Sequence, residues 1–206
     1  MTRPGGPVLL ADADRLAAEA GRVAAEISAA HPEGVTLVAV LKGSVVFLAD
    51  LARRITVPAR IDMVAVAPFD GSTGRTRVVK DLDHPIAGEA VVLVTGIVDT
   101  GLTADFLRRH LQSFEPASIR VATLVDKPVR RILPLVPDHA ALTAPDRFVI
   151  GYGLDHRGRY RNLTDLWTVD GADLREDPDR FVGQLYPRSG VPGGPEAARP
   201  AGDVGR

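Results

Sequence analysis

Apolar and polar positions alternate in two different rhythms along this chain. Leu16, Ala20, Val23 and Ile27 recur at helical spacing behind Asp12, a good helix cap, and predict a helix that Pro32 and Gly34 end. Val35 to Leu41 reads instead as a short, continuously apolar strand, the pattern of a strand buried on both faces. Lys42-Gly43-Ser44 breaks it, and Val45 to Ile55 predicts a helix with Phe47, Leu48 and Leu51 facing inward. Arg60 to Ala67 predicts a second strand. Pro68 to Gly74 has the composition of a long mobile loop, with a return strand near Thr76 to Val79.

Ala90 to Val94 predicts a third buried strand, which leads through Thr95 to Thr103 into a helix over roughly Thr103 to Phe114. Ile119 to Val125 and Phe148 to Ile150 complete the apolar runs. Strands alternating with helices imply an α/β fold: a twisted, mainly parallel sheet with right-handed crossovers. The expected arrangement places Ala90 to Val94 centrally, helices on both faces, and a small hood built from the N-terminal region and Phe148 to Val169. From Asp170 the chain is charged, then rich in Pro and Gly, so residues 187–206 read as a disordered tail behind one domain over 1–186.

A length of 206 residues suits one sizeable domain rather than two. The formal net charge of -1 supplies no basic field for nucleic acid or an acidic membrane. With no cysteines, disulfides and thiolate-held metals are excluded. The apolar runs are too short to span a bilayer, and the start of the chain lacks the apolar core of a signal peptide. A cytoplasmic protein is the expectation.

Candidate chemistry sits where strands end. Asp99-Thr100-Gly101-Leu102-Thr103 follows an apolar strand and opens a helix. Gly101 allows a tight turn, and the hydroxyls of Thr100 and Thr103 lie beside free helix amides, an arrangement suited to phosphate. The same segment also suits a plain strand–turn–helix joint with threonine caps. A carboxylate at the mouth of an anion cradle is costly unless it has chemistry to perform, which singles out Asp99. Leu41-Lys42-Gly43-Ser44 is a second glycine loop at a strand end, and such ends are where parallel sheets bind ligands. Lys127 follows another strand. Phe148, Val149 and Asp155 share one glycine-rich stretch, and Arg161 follows closely. Taken singly, each also suits an ordinary surface, core or turn position.

In order and spacing, Leu-Lys-Gly, Lys80 to Asp83, Asp-Thr-Gly-Leu-Thr, Leu-Val-Asp-Lys-Pro, Phe-Val-Ile-Gly-Tyr-Gly-Leu-Asp and Tyr-Arg-Asn-Leu resemble hypoxanthine-guanine phosphoribosyltransferases, of the type I phosphoribosyltransferase kind. The resemblance spans roughly Leu10 to Val169. It implies transfer of a 5-phosphoribosyl group from a sugar diphosphate to a purine base, with magnesium balancing the diphosphate charge. Asp99 would be the general base for the purine N7 proton, and Thr100, Gly101, Leu102 and Thr103 would hold the 5-phosphate. Lys42 and Gly43 would offer amides to the diphosphate through a strained peptide, and Arg161 would neutralise leaving-group charge. Lys127 would donate to the exocyclic oxygen of a 6-oxopurine. Phe148 would stack on the base, Val149 would meet its edge, and Asp155 would ligate Mg²⁺. The resemblance also implies a homo-oligomer.

Two positions depart from the family. Its adjacent carboxylates, which hold the ribose hydroxyls, are replaced by Thr95 and Gly96, and the Ser-Tyr of its closing lid by Pro68 and Phe69. Thr95 keeps one hydroxyl, Gly96 has no side chain, and the exchange is expected to open volume near the anomeric carbon. Three readings follow: an ordinary purine phosphoribosyltransferase with a weakened sugar grip, the same chemistry on a bulkier sugar diphosphate, or a non-catalytic nucleotide sensor. Retention of Asp99, Lys127, Asp155 and Arg161 speaks against the sensor.

Overall fold

The computed structural model describes residues 6–67 and 77–186. The expected lid residues Pro68 and Phe69, and the tail expected over 187–206, lie outside them. In chain order the elements are β1 (Val8–Ala11), α1 (Ala13–Ala30), β2 (Val35–Val40), α2 (Val45–Ala52), β3 (Ala59–Val66), β4 (Val78–Lys80), β5 (Ala90–Val98), α3 (Leu102–Gln112), β6 (Ser118–Asp126), β7 (His139–Thr143), β8 (Phe148–Ile150), β9 (Leu166–Val169), α4 (Gly171–Glu176) and α5 (Val182–Leu185).

The main sheet has six strands in the order β4-β3-β2-β5-β6-β7. All neighbours are parallel except the β3–β4 hairpin. β5 lies inside the sheet, as its unbroken apolar run requires. On one face Leu16, Val23 and Ile27 of α1 and Phe47 and Leu51 of α2 pack on β2, β5, β6 and β7. On the other face Leu107 and Leu111 of α3 pack on Val91, Leu93 and Val121. Asp12 caps α1, its side chain accepting from the Arg15 amide at 2.8 Å.

The hood is a separate antiparallel sheet, β1-β9-β8. Beneath it a smaller core gathers around buried Tyr160, with Ile150, Val169, Leu174 and Phe181. Four of these elements carry no strong periodic signal. β1 and β9 are four residues each, and β7 is alanine-rich; they form because a partner strand satisfies their backbone groups. α4 starts where Asp170 accepts from the Ala172 amide at 2.8 Å.

One difference from the expected pattern matters most. β5 continues past Val94 to Val98, because β6 keeps pairing with it: Thr95 opposes Thr123, Ile97 opposes Val125 and Val98 opposes Asp126. Thr95 and Gly96 are therefore strand residues, the Thr95 side chain and the Cα hydrogen of Gly96 that a side chain would replace being directed to opposite faces of the sheet.

Candidate active site

The carboxyl ends of β2, β5 and β6 and the hood's β8 loop enclose one cavity of about 360 Å³. It is lined by Leu41, Lys42, Gly43, Ile97, Asp99, Lys127, Phe148, Val149, Leu154, Asp155 and Arg161. Residues up to 120 positions apart in the chain thus converge: the parallel strands β2, β5 and β6 deliver their following loops to one edge, and the antiparallel hood brings Phe148 to Arg161 over it.

Each wall is held locally. Ser44 is fully buried and its hydroxyl donates to the Val40 carbonyl at 2.7 Å, closing the loop that presents Lys42 and Gly43. The Leu41–Lys42 peptide is cis. Lys127 is only 4% exposed. Its ammonium donates to the Arg147 carbonyl at 2.9 Å and lies 3.9 Å from the Asp146 carboxylate, so a buried cation is kept at the cavity wall with a spare donor. Phe148 stands at the rim, 37% exposed, with an edge-to-face contact to His156 at 5.5 Å. Val149 is buried behind it.

Asp155 and Arg161 form an ion pair at 2.7 Å. The other Asp155 oxygen accepts from the Gly158 amide at 2.7 Å, and Arg161 also donates to the Gly153 carbonyl at 2.6 Å. Asp99 is partly exposed, and the Arg130 Nε lies 2.9 Å from its Oδ1. Arg130 also donates to Asp146 at 3.2 Å, so Asp99 sits in a chain of alternating charge.

The Thr100–Thr103 turn lies beside this cavity rather than in its wall. Gly101 has φ of 87°, where an added Cβ would meet the Arg131 side chain at 3.1 Å, which is why glycine is needed there. The Thr100 carbonyl accepts from the amides of Ile132 and Leu133, pinning the turn to the segment after Lys127.

Thr95 and Gly96 are not in the wall either. Thr95 is 5% exposed and donates to Thr123, which in turn donates to the Val125 carbonyl. No volume opens at Gly96. A Cβ there would lie 2.7 Å from the Gly43 carbonyl oxygen and 2.9 Å from the Leu154 side chain. The expected space is filled because the Lys42–Gly43 loop and the hood close onto the bare glycine.

The sequence is similar to known proteins along most of its length. The model of the phosphoribosyl transferase domain matches residues 10–157. The chain belongs to the phosphoribosyltransferase family. It is 42% identical over 148 residues to the hypoxanthine-guanine phosphoribosyltransferase of Mycobacterium tuberculosis, covering 70% of this chain and 73% of that one. It is 38% identical over 149 residues to the hypoxanthine phosphoribosyltransferase of Salmonella typhimurium, covering 71% and 84%. Among solved structures, the hypoxanthine-guanine enzyme of Bacillus anthracis superposes with a TM-score of 0.77 at 34% identity, covering 80% of this chain and 99% of that one. The hypoxanthine enzyme of Trypanosoma cruzi gives 0.78 at 30% identity, covering 85% and 97%. This phosphoribosyltransferase is therefore a type I enzyme of the hypoxanthine-guanine kind, as the motif order implied.

The cavity of this phosphoribosyltransferase is also shaped by residues outside the expected set. Ile97 and Leu154 line the cavity. Tyr152, buried and at φ of 46°, donates to Asp50 of α2 at 2.5 Å and so ties the Asp155 loop to the helix behind Lys42. Burial, then the Asp50 hydrogen bond, push its phenol well above the ordinary range. Only the spacing of the Gly-Tyr-Gly turn could have drawn attention to Tyr152; nothing local announces its partner.

Proposed function

We propose that this phosphoribosyltransferase moves the 5-phosphoribosyl group of phosphoribosyl diphosphate to a 6-oxopurine, giving a purine nucleotide and diphosphate. One observation carries the reading: Lys42, Gly43, Asp99, Lys127, Phe148, Asp155 and Arg161 line a single cavity. In this reading Phe148 stacks on the base and Val149 meets its edge through the main chain. The buried Lys127 ammonium, which keeps a spare donor beside its bond to the Arg147 carbonyl, donates to the 6-oxygen. A 6-amino group would place a donor against that donor, so adenine is disfavoured. Asp99 accepts the N7 proton as the glycosidic bond forms. Lys42 and Gly43 amides and the Arg161 guanidinium take the charge that develops on the leaving diphosphate, while Thr100 to Thr103 hold the 5-phosphate.

Magnesium fits this donor set as an ion shared with substrate. Among the described residues no group of three or more His, Cys, Asp or Glu could hold a metal alone. Magnesium commonly takes one or two carboxylates plus substrate phosphates and water. Asp155 would hold it, since each of its oxygens has spent one acceptor position here and keeps another. Bound there, the ion would neutralise diphosphate charge.

Thr95 and Gly96 offer no carboxylate to the ribose. The closed volume at Gly96 supplies no room for a bulkier sugar at that position, so the ordinary donor is the one proposed. Among the described residues no helix is long and apolar enough to cross a membrane. A cytoplasmic location and a homo-oligomer belong to the same reading and rest on the likeness to the relatives.

The test is turnover of hypoxanthine, guanine and adenine with phosphoribosyl diphosphate and with related sugar diphosphates. The expected order is both 6-oxopurines well ahead of adenine. Preference for adenine would remove Lys127 from its role, and turnover only with another sugar diphosphate would overturn the proposed donor.

A further inference from the structure

A second cavity, about 480 Å³, continues past Phe148 to the junction of β9 and α4. It shares Asp99, Lys127 and Phe148 with the first and adds Arg130, Asp146, Arg147, Asp170 and Arg175 to its lining. Its floor, Val169 to Arg175, lies beyond the stretch that matches the family model, 10–157.

The carboxylates around this cavity each face a cation or an amide, although Asp99 Oδ1 makes no hydrogen bond among the described residues. Asp170 caps α4 through the Ala172 amide at 2.8 Å. Asp99 and Asp146 share Arg130 at 2.9 and 3.2 Å, and Asp146 also faces Lys127. Asp173, inside α4, pairs with Arg180 at 3.5 Å. Arg147 is left over: its Nε and Nη2 are buried and have no hydrogen-bond partner among the described residues. Arg175 is exposed, lines the same cavity, and makes no ion pair among the described residues. Buried guanidinium N–H groups without an acceptor are costly, whereas a carboxylate or phosphate group satisfies such donors in pairs.

We infer that this second cavity is an oxyanion site, in which Arg147 and Arg175 grip the oxygens of a carboxylate or phosphate group beside the stacked base. The anion has two possible sources: an acidic substituent carried on the base acceptor, or a free anion bound next to an ordinary base. The chemistry of the grip is the same for both. The acceptor-borne source rests on the proposed transfer to a base stacked on Phe148, whereas the free-anion source concerns binding alone.

The experiment follows the arginine Nε–H signals of the full chain by ¹⁵N NMR, with Arg147 and Arg175 assigned from Arg147→Met and Arg175→Ala. Inorganic phosphate is titrated in one arm, purine-6-carboxylate in the second, and neutral hypoxanthine in a third as control. Both signals are expected to move on a single isotherm in one of the first two arms and to stay still with hypoxanthine. Movement with phosphate identifies a free anion; movement with purine-6-carboxylate alone identifies an acceptor-borne one. Arg175→Ala, an exposed change that leaves the fold intact, should weaken that isotherm about tenfold or more. If phosphate moves only the amides of Thr100 to Thr103 and neither anion moves the two arginines, the site does not exist.

Discussion

The carbonyl oxygen of Gly43 rests on Gly96 so closely that a Cβ at residue 96 would lie 2.7 Å from it. The same oxygen would lie 2.9 Å from a Cβ on Gly153. The Lys42–Gly43 loop is thus seated between the central strand and the hood, on glycines of two different segments. Because the obstructing atom is backbone, it cannot rotate away. Gly96→Ala should cost about 1–3 kcal/mol through overpacking, read as a lower urea midpoint, and should weaken diphosphate binding. Gly96→Asp, which returns one carboxylate of the family's pair, should behave worse rather than better. A gain in affinity for the sugar donor would show that the loop yields.

Thr95 is committed to its neighbour strand. Thr95→Val removes the bond to Thr123 but leaves Thr123 donating to Val125, so the expected loss is about 1 kcal/mol of stability. The KM for the sugar donor should stay unchanged. A rise in that KM without loss of stability would return Thr95 to the sugar site.

Asp99→Asn should lower kcat by about 10²- to 10⁴-fold and leave the melting temperature nearly unchanged. Asp99 is partly exposed and its contact is with Arg130, itself half-exposed, so little folding energy rides on it. Steady-state kinetics beside a thermal melt separate the two roles, and parental turnover would reduce Asp99 to a turn residue.

Lys127→Met keeps the buried stem and deletes the ammonium that donates to Arg147. A hydrogen bond from a charged group contributes about 1.5–3 kcal/mol, so the KM for a 6-oxopurine should rise by one to two orders of magnitude. Discrimination against adenine should fall with it. Equal loss for all bases would point to a collapsed wall instead.

The Tyr152–Asp50 contact should be visible in acid. Burial pushes the Asp50 carboxyl up, but hydrogen bonds from Tyr152, Arg53 and Arg54 outweigh it and hold the group below its ordinary 3.8. A carboxyl lowered in the folded state contributes stability above its unfolded value and loses it as pH falls through the folded one. Tyr152→Phe removes one of those donors, so its acid unfolding midpoint should move to higher pH, whereas Asp50→Asn should flatten the acid limb. Identical acid limbs in all three proteins would show that the contact carries no folding energy.

Much of this enzyme could be read from residue order alone. α1, β2, β3, β6 and β8 follow from periodicity and from caps such as Asp12, because helix and buried-strand patterns are local properties of the chain. Asp99 and Lys127 could be placed at one cavity because loops at the ends of parallel strands converge, whereas Phe148 and Asp155, which reach it from the antiparallel hood, were legible through the order of the motifs. What the sequence could not decide was how far each strand continues and what fills the space beside a small residue. β5 runs on through Thr95 and Gly96 only because β6 offers it partners, and Gly96 is closed rather than open only because Gly43 and Leu154 arrive there from distant segments. Likewise Arg147 reads as one more charge in the sequence. Its buried, unpartnered nitrogens arise only once Arg130 has claimed the nearby acids and α4 has floored the cavity. Local pattern sets which elements can form; packing between elements remote in sequence sets which polar groups are left without a partner.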